Sequence, residues 1–259
     1  MKISTQNHDH FPLNMHGKFT HIKALGFDSY EIDGKLLLES LEQVKRAIQS
    51  SGLPVTTACG GYQGHIGDYD ESQRQRAIQE IGAILAALQE VGGRGLVVPA
   101  GWGLHQYATT RTAEEDFAVL SDSLRKLDAV AQTTETYIYL EPLNKKEDHL
   151  LNTLDQARRL IIENDLKRVK IIGDFYHMNL EEEDIDQALR NNIDYLGHIH
   201  LADHHRFQPG SGNLDFPHYL NILQSLGYNG ELAFECSLEG NDLDLACQES
   251  VDYLKAQLN

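Results

Sequence analysis

The feature that most constrains this chain is an eightfold alternation of short β-rich runs with longer amphipathic stretches. The runs are Lys2 to Asn7, Ser29 to Asp33, Val55 to Cys59, Gly95 to Ala100, Tyr137 to Leu143, Val169 to Phe175, Leu196 to Ala202 and Glu231 to Cys236. Between them lie segments such as Leu37 to Gln49, Glu71 to Val91 and Glu114 to Gln132, whose apolar residues recur every three to four positions, as a helix with one buried face requires. Parallel strands cannot be joined by tight turns, so each must return through a crossover that is usually helical. Gly26, Gly52 and Gly227 fall near helix ends just before a strand, where a cap needs positive φ. Asn152-Thr153-Leu154-Asp155 and the acidic run Glu181-Glu182-Glu183-Asp184 read as helix starts, where negative charge meets the positive end of the helix dipole. The length of 259 residues is close to the roughly 250 typical of a (β/α)8 barrel, so the expected fold is α/β, one such barrel over residues 1–259. An open doubly wound sheet would give a similar one-dimensional pattern. The placement of polar residues separates the two.

Strands covered on both faces should be apolar throughout, yet each of the last four carries an acid or histidine near its C-terminal end. In a barrel those ends share one face, where catalytic sites are built. Glu141 follows an apolar run and precedes Pro142, which ends regular pairing; on this strand alone, a rim glutamate paired with Lys145 or Lys146 is an equal reading. Asp174 follows a β-branched run; a strand-end Asp often caps the next helix, but that helix is expected to open several residues later with its own acids. His198 and His200 share a face because side chains alternate with period two. His200, nearer the strand end, is the better ligand, and His198 reads as a hydrogen-bonded core histidine. Glu235 completes the set. Three carboxylates and one imidazole suit an octahedral Mn²⁺, Mg²⁺ or Co²⁺, with zinc as a further option. The expected cofactor is one divalent cation, Mn²⁺ first.

Against 22 Lys and Arg stand 39 Asp and Glu, a formal charge of −17 that repels phosphate backbones and anionic membranes. No cluster of basic residues offers itself to a phosphorylated or acidic ligand, so a small neutral carbohydrate is the expected partner, with neither nucleic acid nor membrane. Cys59, Cys236 and Cys247 are odd in number and lack metal-site spacing, which points to a reducing, cytoplasmic setting. The N-terminus turns polar at once, without a signal-length apolar run, and no segment approaches a membrane span.

The segments Leu140-Glu141-Pro142-Leu143-Asn144, Gly173-Asp174-Phe175-Tyr176-His177-Met178-Asn179 and Pro209-Gly210-Ser211-Gly212 resemble signatures of the xylose-isomerase-like barrel family of sugar isomerases and epimerases. A closer likeness, running along almost the whole chain, is to family members that act on glycosides already oxidised at C3. It includes Phe27 to Leu37, Gly52 to Tyr62, Val98 to Gly103 and His198 to Phe216. The resemblance implies metal ligands at Glu141, Asp174, His200 and Glu235, acid/base glutamates at Glu141 and Glu235, and contacts to substrate hydroxyls from His177, Arg206 and Glu147. It also implies a homo-oligomer. The chain departs from the pattern after Trp102, where it is shorter, and after Glu235, where Cys236-Ser237-Leu238 lacks an expected arginine. Both departures touch the pocket rim.

These residues suggest a chemistry. A carbon-bound proton beside a ketone is too weakly acidic for an unaided carboxylate, so a cis-enediolate must be stabilised by the cation. Two glutamates flanking the sugar could then remove a proton from one face and return it to the other, inverting that carbon. The resemblance narrows the expected activity to 4-epimerisation of a 3-keto-glycoside; aldose–ketose isomerisation or 3-epimerisation of a free ketohexose is the alternative. Trp102 stacks on a sugar face or merely packs at the rim. Arg206 could instead pair with Asp203 or Asp215, and Cys59 reads as a small loop residue rather than a nucleophile. A remote alternative is a multi-zinc endonuclease using His8, His10 and His65, which the net charge opposes.

Overall fold

In a computed structural model, described for residues 1–258, eight parallel strands close into a barrel in chain order. They are β1 (Lys2–Thr5), β2 (Ser29–Asp33), β3 (Val55–Cys59), β4 (Gly95–Pro99), β5 (Tyr137–Glu141), β6 (Val169–Asp174), β7 (Leu196–Leu201) and β8 (Glu231–Phe234). The helices are α1 (Met15–Ala24), α2 (Gly34–Ser51), α3 (Glu71–Val91), α4 (Ala113–Thr133), α5 (Leu154–Glu163), α6 (Phe175–Glu181), α7 (Ile185–Asn192), α8 (Phe216–Ser225) and α9 (Leu243–Gln257). Closure comes from β1 pairing with β8, Lys2 opposite Glu231 and Thr5 opposite Phe234, which excludes the open sheet. Closure leaves no open sheet edge among the described residues.

Several strands stop earlier than their β-rich runs. β1 ends at Thr5 rather than Asn7, β5 at Glu141 rather than Leu143, and β8 at Phe234, one residue before Glu235. Past these ends the chain runs on through Gln6 and Asn7, Pro142 and Leu143, and Glu235 and Cys236, and residue type alone does not mark where pairing stops. The acidic run also divides differently from expectation. Glu181 closes α6, Glu182 follows it, and only Asp184 opens a helix, accepting from Gln187 N–H at 3.1 Å as the cap of α7. Glu181 pairs with Lys145, and Glu182 accepts from Leu154 N–H. Thr153 opens α5 as expected, in a reciprocal capping box with Gln156. Gly52 caps α2 at φ 68°, a left-handed conformation that glycine adopts without penalty.

Two packing zones follow from strand alternation. Outward side chains such as Ile3, Ile32, Leu96, Leu140, Ile171 and Leu232 pack against the helices in the main core. Inward ones fill the lumen, where Val97, Tyr139 and Ile172 form a small separate cluster. Above it the lumen turns polar, with Glu31, Thr57, His198 and His200 all buried. Among the described residues, no helix is long and apolar enough to cross a membrane.

Candidate active site

Register brings the strand-end residues together. Asp174, last of β6, lies opposite His200 of β7, and Glu141 is the last residue of β5. Glu235 follows β8 directly and stays tied to the barrel by Glu235 N–H to Leu201 O, 3.2 Å. One donor atom from each of Glu141, Asp174, His200 and Glu235 fits within a mutual 4.8 Å. Glu141 and Glu235 border a cavity of about 290 Å³ whose walls include Tyr62, His65, Trp102, Glu147, His177 and Arg206. A larger cleft of about 480 Å³, between residues 208–211 and α9, contains none of the strand-end residues.

The centre is organised by a residue that the sequence reading did not single out. Glu31, on β2, accepts from His198 Nε2 and Thr57 Oγ1 at one oxygen (2.8 and 2.7 Å) and from His200 Nε2 and Gln6 Nε2 at the other (2.8 and 3.0 Å). His198 is the expected hydrogen-bonded core histidine, stacked on Tyr139 at 5.3 Å between centroids. Because His200 donates Nε2–H to Glu31, its Nδ1 is turned toward the strand-end carboxylates, 3.3 Å from Glu141 Oε1 and 3.2 Å from Glu235 Oε2. Neither contact is aligned as a hydrogen bond, so His200 Nδ1 and Glu141 Oε1 are buried polar atoms without a partner. A carboxylate orienting a ligating imidazole, whose free nitrogen meets further carboxylates, is the donor set of a divalent-cation site. The residues fit such an ion.

Without an ion, the charges lean on protons and on Arg206. Burial, and then the charge of Glu235, push the Glu141 carboxyl above its ordinary range. Burial pushes Glu235 the same way, but His200 and Arg206 outweigh it and hold Glu235 well below that range. Burial disfavours the His200 cation, yet Glu235 and Glu31 overcome it and drive that imidazole well above its usual value. Without the ion, two carboxyls beside one imidazole are thus pushed in opposite directions.

Arg206 reaches both sides of the mouth. Its Nη1 donates to Asp174 Oδ2 at 2.9 Å and its Nη2 to Glu235 Oε2, while the guanidinium lies 4.6 Å over the Tyr176 ring. The expected alternative partners are therefore not used. Asp203 instead accepts backbone N–H groups of His204, Gly210, Gly212 and Leu214, anchoring its loop, and Asp215 caps α8. Arg206 itself sits at φ 63°, rare for a residue with a side chain and held by Arg206 N–H to Asp203 O and Ser237 N–H to Arg206 O.

Asp174 corrects one expectation. The helix does not open several residues later; α6 begins at Phe175 and Asp174 is its cap, Oδ1 accepting from Tyr176 N–H (2.7 Å) and His177 N–H (3.4 Å). A carboxylate has two oxygens, so capping with one leaves Oδ2 for the site. The cap also sets His177, whose Nδ1 accepts from Asn144 N–H at 3.2 Å. His177 Nε2 then carries the ring proton, 3.6 Å from Asp174 Oδ2. Glu141 is buried and is no rim partner of a lysine, since Lys145 binds Glu181.

At the rim, Asn144 Nδ2 donates to Glu147 Oε1 at 2.8 Å, and Trp102 borders the cavity while 64 % exposed. Burial and the charge of Glu235 raise the Cys59 thiol well above its ordinary range, in keeping with a packing role. Of the three histidines considered for a multi-zinc centre, His65 lines the cavity with Nδ1 buried and unpartnered, His8 Nε2 meets Thr5 Oγ1 at 3.1 Å, and His10 binds Asp244.

Glu31 was legible in principle. It sits mid-strand in Ser29-Tyr30-Glu31-Ile32-Asp33, an acid with apolar neighbours on both sides, and the alternation that paired His198 with His200 applies there too. Gln6, which also donates to Glu235 Oε1 at 3.2 Å, had no comparable signal.

The family described as xylose isomerase-like TIM barrel matches residues 19–257. The 3-dehydro-D-guloside 4-epimerase of Escherichia coli is 52% identical over 260 residues, covering 98% of this chain and 99% of that protein. A D-psicose 3-epimerase of Enterocloster bolteae is 29% identical over 226 residues, covering 83% of this chain and 74% of the other. The apo crystal structure of 3-keto-D-glucoside 4-epimerase from E. coli superposes with a TM-score of 0.96 at 51% identity, over 99% of each chain. These relatives are named epimerases, isomerases acting on carbohydrates, and the chain belongs to the xylose isomerase-like TIM barrel family.

Proposed function

We propose that this chain is a divalent-cation-dependent epimerase that inverts C4 of a 3-keto-glycoside. The observation that carries this reading is the approach of two carboxylates, buried Glu141 and half-buried Glu235, to the same nitrogen of His200, Nδ1, at 3.3 and 3.2 Å. The 52% identity to a 3-dehydro-D-guloside 4-epimerase supports the substrate class.

Glu141, Asp174, His200 and Glu235 hold the ion, Mn²⁺ in the first instance. When bound, the cation supplies Lewis-acid polarisation of the substrate carbonyl and adjacent hydroxyl, making the intervening C–H more acidic. Glu141 and Glu235 act as the acid/base pair, one taking the C4 proton and the other delivering a proton to the opposite face. Arg206 and the Nε2–H of His177 donate to substrate oxygens that gain charge, and the Arg206 fork is already aligned by Asp174 and Glu235. Glu147 and Trp102 meet the sugar or its aglycone at the rim. The barrel works in the cytoplasm as a homo-oligomer.

The test is incubation of the Mn²⁺-loaded protein in D₂O with 3-keto-glycosides and, separately, with free ketohexoses, followed by NMR. Deuterium entering C4 of the keto-glycoside with inversion is the expected result. Exchange at C3 of a free ketohexose alone would replace the reading with ketose 3-epimerisation, and exchange in neither would refute it.

A further inference from the structure

Three residues on the outside of the barrel form a donor cluster separate from the mouth. His10 lies in the loop after β1, His21 on α1 and Asp244 in the first turn of α9. Both imidazoles turn the same nitrogen to the same oxygen, His10 Nε2 at 3.0 Å and His21 Nε2 at 2.9 Å from Asp244 Oδ1. The three donor atoms lie within 4.8 Å of one another. Phe11 packs edge-on to both rings, at 4.7 Å from His10 and 5.3 Å from His21 between centroids, and the two imidazoles lie 6.4 Å apart. The His10, His21 and Asp244 side chains are 23%, 25% and 46% exposed, so an ion in solution can reach them.

We infer that His10, His21 and Asp244 form a second metal site, selective for Zn²⁺ over the oxygen-preferring ions suited to the mouth. Two imidazole nitrogens, one carboxylate and a water make a four-coordinate set of the kind zinc takes. Bonds of about 2.0–2.1 Å in a tetrahedron put neighbouring donors roughly 3.3 Å apart, so the two His–Asp spacings need to open by only a few tenths of an ångström. In the ion-free form each ring donates Nε2–H to Asp244. On binding, each imidazole shifts its proton to Nδ1 and offers the Nε2 lone pair, with no change in ring charge. The −17 net charge of the chain favours cation uptake.

The position gives the site a purpose. Asp244 lies 234 residues from His10 and 223 from His21, and the strands these segments flank, β1 and β8, are the pair that closes the barrel. A metal clip across so long a loop restrains the unfolded chain strongly. The loop carrying Asn7, His8 and His10 also lines a cleft of about 350 Å³ together with Cys236 and Ser237, the residues that follow Glu235.

The experiment compares chelator-stripped wild type with a His10→Gln/His21→Gln double variant, both first saturated with Mn²⁺ and then titrated with Zn²⁺ by calorimetry and thermal melting. Wild type should take up one more Zn²⁺ per chain than the variant, and Zn²⁺ should raise only the wild-type melting temperature. Equal stoichiometry, or a Zn²⁺-dependent melting shift that survives in the variant, overturns the site. If the double variant does not fold, histidine ring ¹⁵N spectra of wild type decide. Zn²⁺ should move the Nε2 signals of His10 and His21, and unmoved signals refute the assignment. Asp244→Asn, which leaves the Asp242 cap of α9 intact, should weaken Zn²⁺ binding about tenfold or more.

Discussion

Replacing Glu31 by Gln should loosen the cation site without touching a ligand. The carboxylate accepts four hydrogen bonds, two at each oxygen, and is fully buried. Gln keeps the volume but turns one oxygen into an NH₂ group, which must face either His198 and Thr57 or His200 and Gln6. In the first orientation the Thr57 hydroxyl can rotate to accept, but His198 must change tautomer. In the second, His200 loses the acceptor that fixes its ring orientation toward Glu141 and Glu235. Removing an orienting carboxylate of this kind costs about 10–100-fold in metal affinity. A buried donor left without an acceptor adds about 1–3 kcal/mol of instability. For a chain of this size that lowers the melting temperature by about 2–12 °C. The assay is Mn²⁺ calorimetry on the chelator-stripped variant near neutral pH, alongside thermal melting. If melting falls as expected while Mn²⁺ affinity stays within about twofold of wild type, Glu31 is only a core strut, and the argument that it orients His200 fails.

Glu141→Gln or Glu235→Gln should lower turnover by about 10²–10⁴-fold or more with the fold retained, read as C–H exchange in D₂O; near-normal exchange removes them as the acid/base pair. Chelation with EDTA should abolish activity and Mn²⁺ should restore it, with Mg²⁺, Co²⁺ and Zn²⁺ as comparisons; activity indifferent to chelator refutes cation dependence. Burial pushes the Asp148 carboxyl up to about 6, so the folded state holds its proton more tightly than the unfolded state, and wild-type stability falls as pH rises from about 4 to 6. Asp148→Asn should therefore gain up to about 3 kcal/mol over wild type above about pH 6 and lose that gain below about pH 4, measured by urea unfolding across pH. A gain confined to acid pH would contradict this sign.

Much of the molecule was readable from local pattern. Period-two alternation and its replacement by helical spacing are backbone properties, so the eight βα units, the shared face of His198 and His200, and the strand-end positions of Glu141, Asp174 and Glu235 follow from residue order. Misreadings arose where one group serves two contacts. Asp174 caps α6 with one oxygen and faces the site with the other, and no spacing rule divides a carboxylate in two. β1, β5 and β8 stop short of their sequence runs because residue type does not mark where ladder pairing ends.

Arg206 shows what sequence could not decide. Asp203 and Asp215 are its near neighbours in the chain, yet it binds Asp174 and Glu235, 32 and 29 residues away, because the loop after β7 folds back against the segment following β8. Glu31 is separated by 169 residues from the histidine it orients. The order of residues determined the repeating unit, the end of each strand that bears chemistry, and the donor types available there. Only closure of the barrel decided which donors meet, because β1 must pair with β8 before the lumen exists, and the charges inside it must then be matched across distances that no local pattern encodes.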